Sequence, residues 1–183
     1  MKRIAVTSIC FGLFALTSFA QVTARRENQQ DRIAQGVQSG QLTPGETANL
    51  ENKERGLNGE IKADRTANGG SLTAAERARI NRQQNGLSNQ VYRDKHNASS
   101  DHFGTSEVGR RQENQQDRIA QGIKSGKLNA GQTANLEGRE AGINREVRAD
   151  RKYNGGHLTG TEHKQVNGQL NRVSKSIRKD KQS

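Results

Sequence analysis

The chain has little of what a large apolar core or a reactive centre would need. Of its 183 residues, 29% are hydrophobic and 3% are aromatic, and tryptophan is absent. The one cysteine, Cys10, lies in an apolar N-terminal stretch, so the rest of the chain offers no disulfide, thiol nucleophile or thiolate metal ligand. The composition therefore excludes cysteine chemistry beyond that stretch and predicts thin helical modules with small cores.

Residues 1–20 have the pattern of a secretory signal peptide. Lys2 and Arg3 give a basic start, an apolar run follows, and Ser18 and Ala20 place small residues at the two cleavage-recognition positions. The run is shorter than the ~20 apolar residues that a spanning helix needs, although an uncleaved membrane anchor is the alternative interpretation. We therefore expect a bacterial protein of the periplasm or exterior, with no membrane span after cleavage.

One short motif, G-x-L-[TN]-x-x-[EQ], occurs four times and organises the chain. In each copy a Thr or Asn stands three residues before a Glu or Gln, which is the capping box that begins a helix. The glycine of the motif suits the turn that ends the preceding helix. The four pairs are Thr43 with Glu46, Thr73 with Glu76, Asn129 with Gln132, and Thr159 with Glu162. Each copy predicts a helix end, a tight turn and a new helix.

A longer repeat relates the two halves of the chain. Residues 27–36 and 113–122 are identical, and the same offset of 86 aligns the two halves without a gap. We interpret the fold as all-α, a tandem duplication of a three-helix module made of helical hairpins with capped turns. Residues 21–95 would be the first module, 111–183 the second, and 96–110 a flexible linker, because that segment is rich in Asn, Ser, Gly and Asp.

The helices of this interpretation carry narrow apolar stripes. Leu50, Leu57 and Ile61 are spaced by seven and then four residues, and the same spacing recurs in the next helix and in the second half. One such stripe is too thin to hold a helix by itself. We expect the three stripes of each half to bury one another, with self-association as a further source of stability.

The turn that ends with Thr73 resembles the second half of an EF-hand calcium loop. Gly70 stands at the sharp turn, Leu72 at the apolar position, Thr73 at the hydroxyl position and Glu76 at the closing glutamate. The first three ligand positions, residues 65, 67 and 69, hold Arg, Ala and Gly, which supply no side-chain oxygen. The chain also resembles short exported bacterial proteins with G-x-L-T-x-x-E repeats, and neither resemblance supplies an enzymatic activity.

A degenerate EF-hand-like helical pair is what the resemblance implies for the fold, and a calcium-responsive module is what it implies for function. Calcium requires six to eight oxygen ligands, mostly anionic. The candidate ligands are Asp64, Glu76, Asp150 and Glu162. No other cofactor is expected.

An excess of basic residues is the main global feature with a functional interpretation. The chain has 30 Lys and Arg against 19 Asp and Glu, a net charge of +11, which favours contact with anionic polymers or envelope surfaces. Too few aromatic side chains are present for base stacking, so sequence-specific nucleic-acid recognition is not expected. The candidate contacts are Arg25, Arg26, Arg110, Arg111, Arg151, Lys152, Arg178 and Lys179.

No catalytic constellation is visible in the sequence. The recurring Asp-Arg and Asp-Lys steps suit charge patterning near helix ends, and no pattern places two carboxylates in an apolar pocket, as acid–base catalysis would need. The leading hypothesis is an exported, non-enzymatic helical repeat protein that binds anionic polymers or surfaces. A calcium-responsive EF-hand-like module and a structural oligomerisation element are the alternatives.

Overall fold

The computed structural model describes the backbone of residues 13–183 and the side chains of residues 21–183. This part of the chain has six helices and no strand, which confirms the predicted all-α class. The helices are α1 (Leu13–Gln38), α2 (Pro44–Ala67), α3 (Ala74–Lys95), α4 (Glu107–Lys124), α5 (Ala130–Tyr153) and α6 (Gly160–Asp180).

The predicted signal peptide lies only partly within the described chain. Residues 1–12 lie outside it, and α1 begins at Leu13 and continues past Ala20 without a break. Over the described residues, none of the helices combines the length and the apolar character needed to cross a bilayer. Because much of the predicted signal peptide lies outside the described residues, export stays a prediction.

Capping boxes begin four of the six described helices, as the motif predicts. At α2 the Glu46 backbone N–H donates to Thr43 Oγ1 at 3.3 Å, and the Thr43 N–H donates to Glu46 Oε2 at 2.9 Å. The same reciprocal pair begins α3, α5 and α6. Helix α4 begins differently, with Ser106 Oγ accepting from the Gly109 N–H at 3.1 Å.

Replacing Thr73 by Ala should test how much one cap contributes. The substitution leaves the Glu76 N–H without its side-chain acceptor, and loss of an N-cap costs about 1 kcal/mol of unfolding free energy. Urea unfolding followed by far-ultraviolet circular dichroism measures the change. Thr66→Ala is the control, because the Thr66 hydroxyl bonds only a carbonyl of its own helix. Equal losses for the two variants would contradict a capping role.

The larger core cluster crosses both halves of the chain, which corrects in part the expectation that each half buries its own stripes. A smaller cluster does lie within the first half and is made of Val22, Leu57, Ile61, Leu72 and Ile80. Helix α1 packs on α4 and α2 packs on α5. The larger apolar cluster joins Ile33, Val37 and Leu50 to Ile119 and Leu136, all of them buried. Periodicity identifies the apolar face of a helix but not the surface that it meets, and here two thin stripes from different halves complete one core.

Helices α2 and α5 lie antiparallel at the centre of this core. The start of α2, at Gly45, lies against Ala141 in the middle of α5. The start of α5, at Gly131, lies against the Arg55 side chain in the middle of α2. Each helix start thus packs on the middle of the other helix, so the N-terminal halves of α2 and α5 lie side by side.

Two glutamines tie the leading helices α1 and α4 to α3 and α6. Gln29 is 1% exposed, and its Nε2 donates to the Gln84 carbonyl at 2.7 Å and to a serine one turn later. Gln115 is 2% exposed and donates to the Leu170 carbonyl at 2.7 Å and again to a serine one turn later. We call these contacts the amide clamps.

The segment between α3 and α4 packs on the fold. Helix α4 begins at Glu107, inside the predicted linker of residues 96–110. Within the segment, Asp101 is 7% exposed and its backbone N–H donates to the Gly40 carbonyl at 3.0 Å. The predicted flexible linker thus contains a helix start and a buried, hydrogen-bonded residue.

Candidate functional site

The first EF-hand-like turn holds its acidic residues in local contacts. Glu76 accepts from the Thr73 N–H at 2.7 Å and from Asn68 Nδ2 at 2.9 Å, and Asp64 pairs with Arg79 at 2.8 Å. The backbone hydrogen bond from Thr73 is the main reason why the pKa of Glu76 is lowered. Glu76 therefore acts as a capping carboxylate in this structure.

The EF-hand-like turn between α5 and α6 repeats most of this arrangement. Glu162 accepts from the Thr159 N–H and from Asn154 Nδ2, each at 2.8 Å. Desolvation, and then the negative charges of Glu162 and Glu146, raise the pKa of Asp150. Among the described residues no group of three or more His, Cys, Asp or Glu side chains is placed to hold a metal ion. Calcium binding stays a hypothesis.

The predicted polyanion contacts are spread over four helices, in pairs on α1, α4, α5 and α6. Three of them are half-buried and donate to neighbours: Arg25 to Asn85, Arg111 to Asn167 and Arg151 to Ser106. The other five, Arg26, Arg110, Lys152, Arg178 and Lys179, are exposed. Of the eight, Arg26 lines a groove that is described below.

Four glutamates are buried where α2 meets α5, and we call them the glutamate seam: Glu51, Glu54, Glu137 and Glu140. Each is 1% exposed or less. Gln30 donates to Glu51 at 3.3 Å, and Gln116 donates to Glu137 at 3.0 Å. Both carboxyl oxygens of Glu54 and of Glu140 lack a hydrogen-bond partner.

Burial raises the pKa of every carboxyl group in the seam. It reaches about 8 for Glu51 and for Glu140 and about 7 for Glu54, and it lies well above the usual value for Glu137. The opposing influences are weaker: hydrogen bonds from Gln30 and Gln116, and the positive charges of Arg26 and Arg139. The seam therefore binds protons near neutral pH, because an uncharged carboxyl group is much cheaper to bury.

The seam corrects the expectation that no carboxylates enter apolar surroundings. Leu50 and Leu57 are seven residues apart, and Glu54 lies between them on the same helix face. Glu140 fills the matching position in α5. The gap in the apolar stripe, filled by Glu in both halves, was the signal that sequence reasoning missed. Because all four groups are buried, the seam offers no exposed carboxyl group to a dissolved substrate.

The segment between α3 and α4 fills a groove formed by the α1–α2 turn and α5. The Asp101 N–H donates to the Gly40 carbonyl, and its carboxylate accepts from Arg148 at 2.9 Å and from Asn144 at 3.4 Å. Gln112 donates to the amide oxygen of Asn144 and so holds this amide in place. We call this site, with its bound aspartate, the filled groove.

A matching groove lies between the α4–α5 turn and α2. At the offset of 86 that relates the halves, Gly126 stands for Gly40, Asn58 for Asn144, Lys62 for Arg148 and Arg26 for Gln112. The contact from Arg26 to the Asn58 amide oxygen, at 3.3 Å, matches the one from Gln112 to Asn144. We call this second site the open groove, defined by Arg26, Asn58, Lys62 and Gly126.

No described segment covers Gly126 in the open groove. A Cβ atom built on Gly126 would meet nothing within 4 Å, whereas one on Gly40 would lie 2.8 Å from the Asp101 carbonyl oxygen. The two glycines have nearly the same φ, +66° and +69°. The open groove therefore has the backbone shape of the filled groove without its bound segment.

The open groove is the more cationic of the two at the matched positions. Arg26 replaces the neutral Gln112, and Lys62 keeps the positive charge of Arg148. The buried Glu54 also lines the open groove, as do two exposed acids, Glu27 and Asp31. Their counterparts in the second half, Glu113 and Asp117, line the surface beside Asp101. Acidic neighbours of this kind thus coexist with a bound carboxylate in the filled groove.

Comparison with protein-family models, with curated proteins and with solved structures finds no match to the chain.

Proposed function

We propose that the chain is an exported, non-enzymatic helical protein of the periplasm or exterior that binds anionic ligands through the open groove. The observation that carries this proposal is the filled groove. There Arg148 and Asn144 hold the Asp101 carboxylate, and the open groove presents Lys62 and Asn58 at the matching positions. A carboxylate or another anion is the ligand that such donors suit.

The charges around the open groove support the same proposal. Lys62 is exposed on α2, and Arg26 lies on α1 across from Asn58. An anion in the groove would meet two cations and an amide donor in a concave site, where field lines concentrate. The buried seam beneath contributes no exposed nucleophile or base, which favours binding over catalysis.

Heparin, as a polyanion probe, tests the proposed function. We expect it to bind the chain with an affinity that falls as sodium chloride rises, because binding releases counterions. In the variant Arg26→Glu with Lys62→Glu, binding at low salt should weaken by roughly tenfold or more. Isothermal titration calorimetry at several salt concentrations measures both effects.

A charge-matched control separates the groove from the general basic surface. Arg178→Glu with Lys179→Glu changes the same net charge at exposed positions of α6. Equal losses of heparin affinity in the two double variants would show that the groove has no special role. A flat salt response of the unaltered chain, or no binding at all, would refute the proposal.

A further inference from the structure

We propose that the physiological ligand of the open groove is an extended peptide segment of a partner protein that carries an aspartate or glutamate. This inference rests on the proposed function and narrows its ligand from anions in general to an acidic peptide. The filled groove is the internal precedent, because its occupant is such a segment, with Asp101 as its acidic residue.

The backbone of the occupant is recognised as well as its charge. In the filled groove the Asp101 N–H donates to the Gly40 carbonyl at 3.0 Å. Gly126 has nearly the same φ as Gly40, and the two turns close with the same backbone hydrogen bond, from Leu128 to Gly122 and from Leu42 to Gly36, each at 3.0 Å. The Gly126 carbonyl therefore occupies the place in its turn that the Gly40 carbonyl occupies. A peptide supplies a backbone N–H donor for this carbonyl directly beside its carboxylate side chain, as the segment around Asp101 does, whereas a sulfate or phosphate group itself offers only acceptors.

The side chain of the occupant meets a stronger cationic site than Asp101 does. Asn58 can donate to a carboxylate as Asn144 does, and Lys62 stands where Arg148 stands. Arg26 adds a second positive charge where the filled groove has Gln112. A carboxylate should therefore bind at least as favourably here as in the filled groove.

The size of the open groove suits a short segment. The part beside the α4–α5 turn has a volume of about 500 Å³, lined by Ile123, Leu128 and Ala130 as well as by polar groups. That volume is in the range of pockets for small ligands and is too small for a folded domain. A few residues of extended chain fit it. Lys62 lines the adjoining part of the groove, which shares Arg26 and Asn58 with this part.

The test uses the chain's own bound segment as the probe. A fluorescein-labelled peptide with the sequence of residues 97–105 is titrated with the full chain, and fluorescence polarisation gives the affinity. We expect saturable binding that weakens roughly tenfold or more when asparagine replaces the aspartate of the peptide, or when Lys62→Glu is introduced. Lysine in place of the peptide aspartate should restore binding to the Lys62→Glu variant.

The matched control lies in the filled groove. Arg148→Glu should leave peptide binding within about twofold, because the peptide is expected in the open groove. If Arg148→Glu weakens binding and Lys62→Glu does not, the peptide is displacing the internal segment and this inference is wrong. Heparin binding without peptide binding also overturns the inference but leaves the proposed function standing. Loss of both kinds of binding overturns both.

Discussion

The chain should become less stable as the pH rises from about 5 to about 9, because the glutamate seam binds protons in the folded state. Most globular proteins lose stability towards acid, so the expected direction is unusual. It follows from four carboxyl groups that are buried between α2 and α5 and that have raised pKa values.

The pH window follows from the direction of these shifts. The pKa of Glu51 is about 8 in the folded chain against 4.5 for an ordinary Glu. A raised folded-state pKa contributes stability that is fully present below the unfolded value and is lost as the pH rises through the folded value. Each pKa unit corresponds to about 1.4 kcal/mol, so four groups together should shift the free energy of unfolding by several kcal/mol.

The double variant Glu51→Gln with Glu137→Gln should have a free energy of unfolding that depends less on pH. A neutral amide keeps the shape of the protonated carboxyl group but does not ionise, so the variant should be the more stable chain at about pH 9. Guanidinium unfolding at about pH 5, 7 and 9, followed by circular dichroism, measures the free energies. Glu113→Gln, an exposed position on α4, is the control. The interpretation is wrong if the free energy of unfolding rises with pH. It is also wrong if this free energy changes equally with pH in the unaltered chain, the double variant and the Glu113→Gln control.

Separating the two halves should abolish stable folding of the first half. Residues 21–95 alone would expose Leu50 and Val37, which the second half covers in the full chain, and would open Glu51 and Glu54 to water. We expect the fragment to show no cooperative thermal melt by circular dichroism. The full chain should show one, since the larger apolar cluster spans both halves.

Mixing the fragments provides the control for this experiment. Residues 21–95 and 96–183 together should regain helical signal, with a melting temperature that rises with concentration because folding is then coupled to association. A fragment of residues 21–95 that melts cooperatively at the same temperature as the full chain would instead support the original expectation of halves that bury their own stripes.

The sequence predicted the local structure well. The helix starts after Thr43, Thr73, Asn129 and Thr159 are confirmed, because capping depends on residues only three positions apart. The sequence could not predict which apolar stripe packs against which other stripe. Leu50 and Leu136 have the same spacing pattern as the other stripes, and nothing in a one-dimensional pattern pairs α2 with α5.

The candidate sites were harder to predict than the fold. Glu54 and Glu140 are ionisable residues in apolar stripes, and their burial depends on the opposite helix, which the periodicity of one helix does not reveal. The open groove depends on four residues from α1, α2 and the α4–α5 turn, with Arg26 the one member that charge composition had already indicated. The open groove is identified as an anion site by comparison with the filled groove. That comparison depends on the path of the segment around Asp101, which the sequence does not give.

The amide clamps described above also decide how α1 can sit on α3 and how α4 can sit on α6. With so few apolar side chains, such helices could slide past each other by one turn, about 5.4 Å, and still bury similar surface. Such a slide would move Gln29 away from the Gln84 carbonyl and leave a buried amide unsatisfied. The amide clamps thus select one axial register of these helices. In this thin core, a unique packing arrangement depends more on buried amides than on the shapes of apolar side chains.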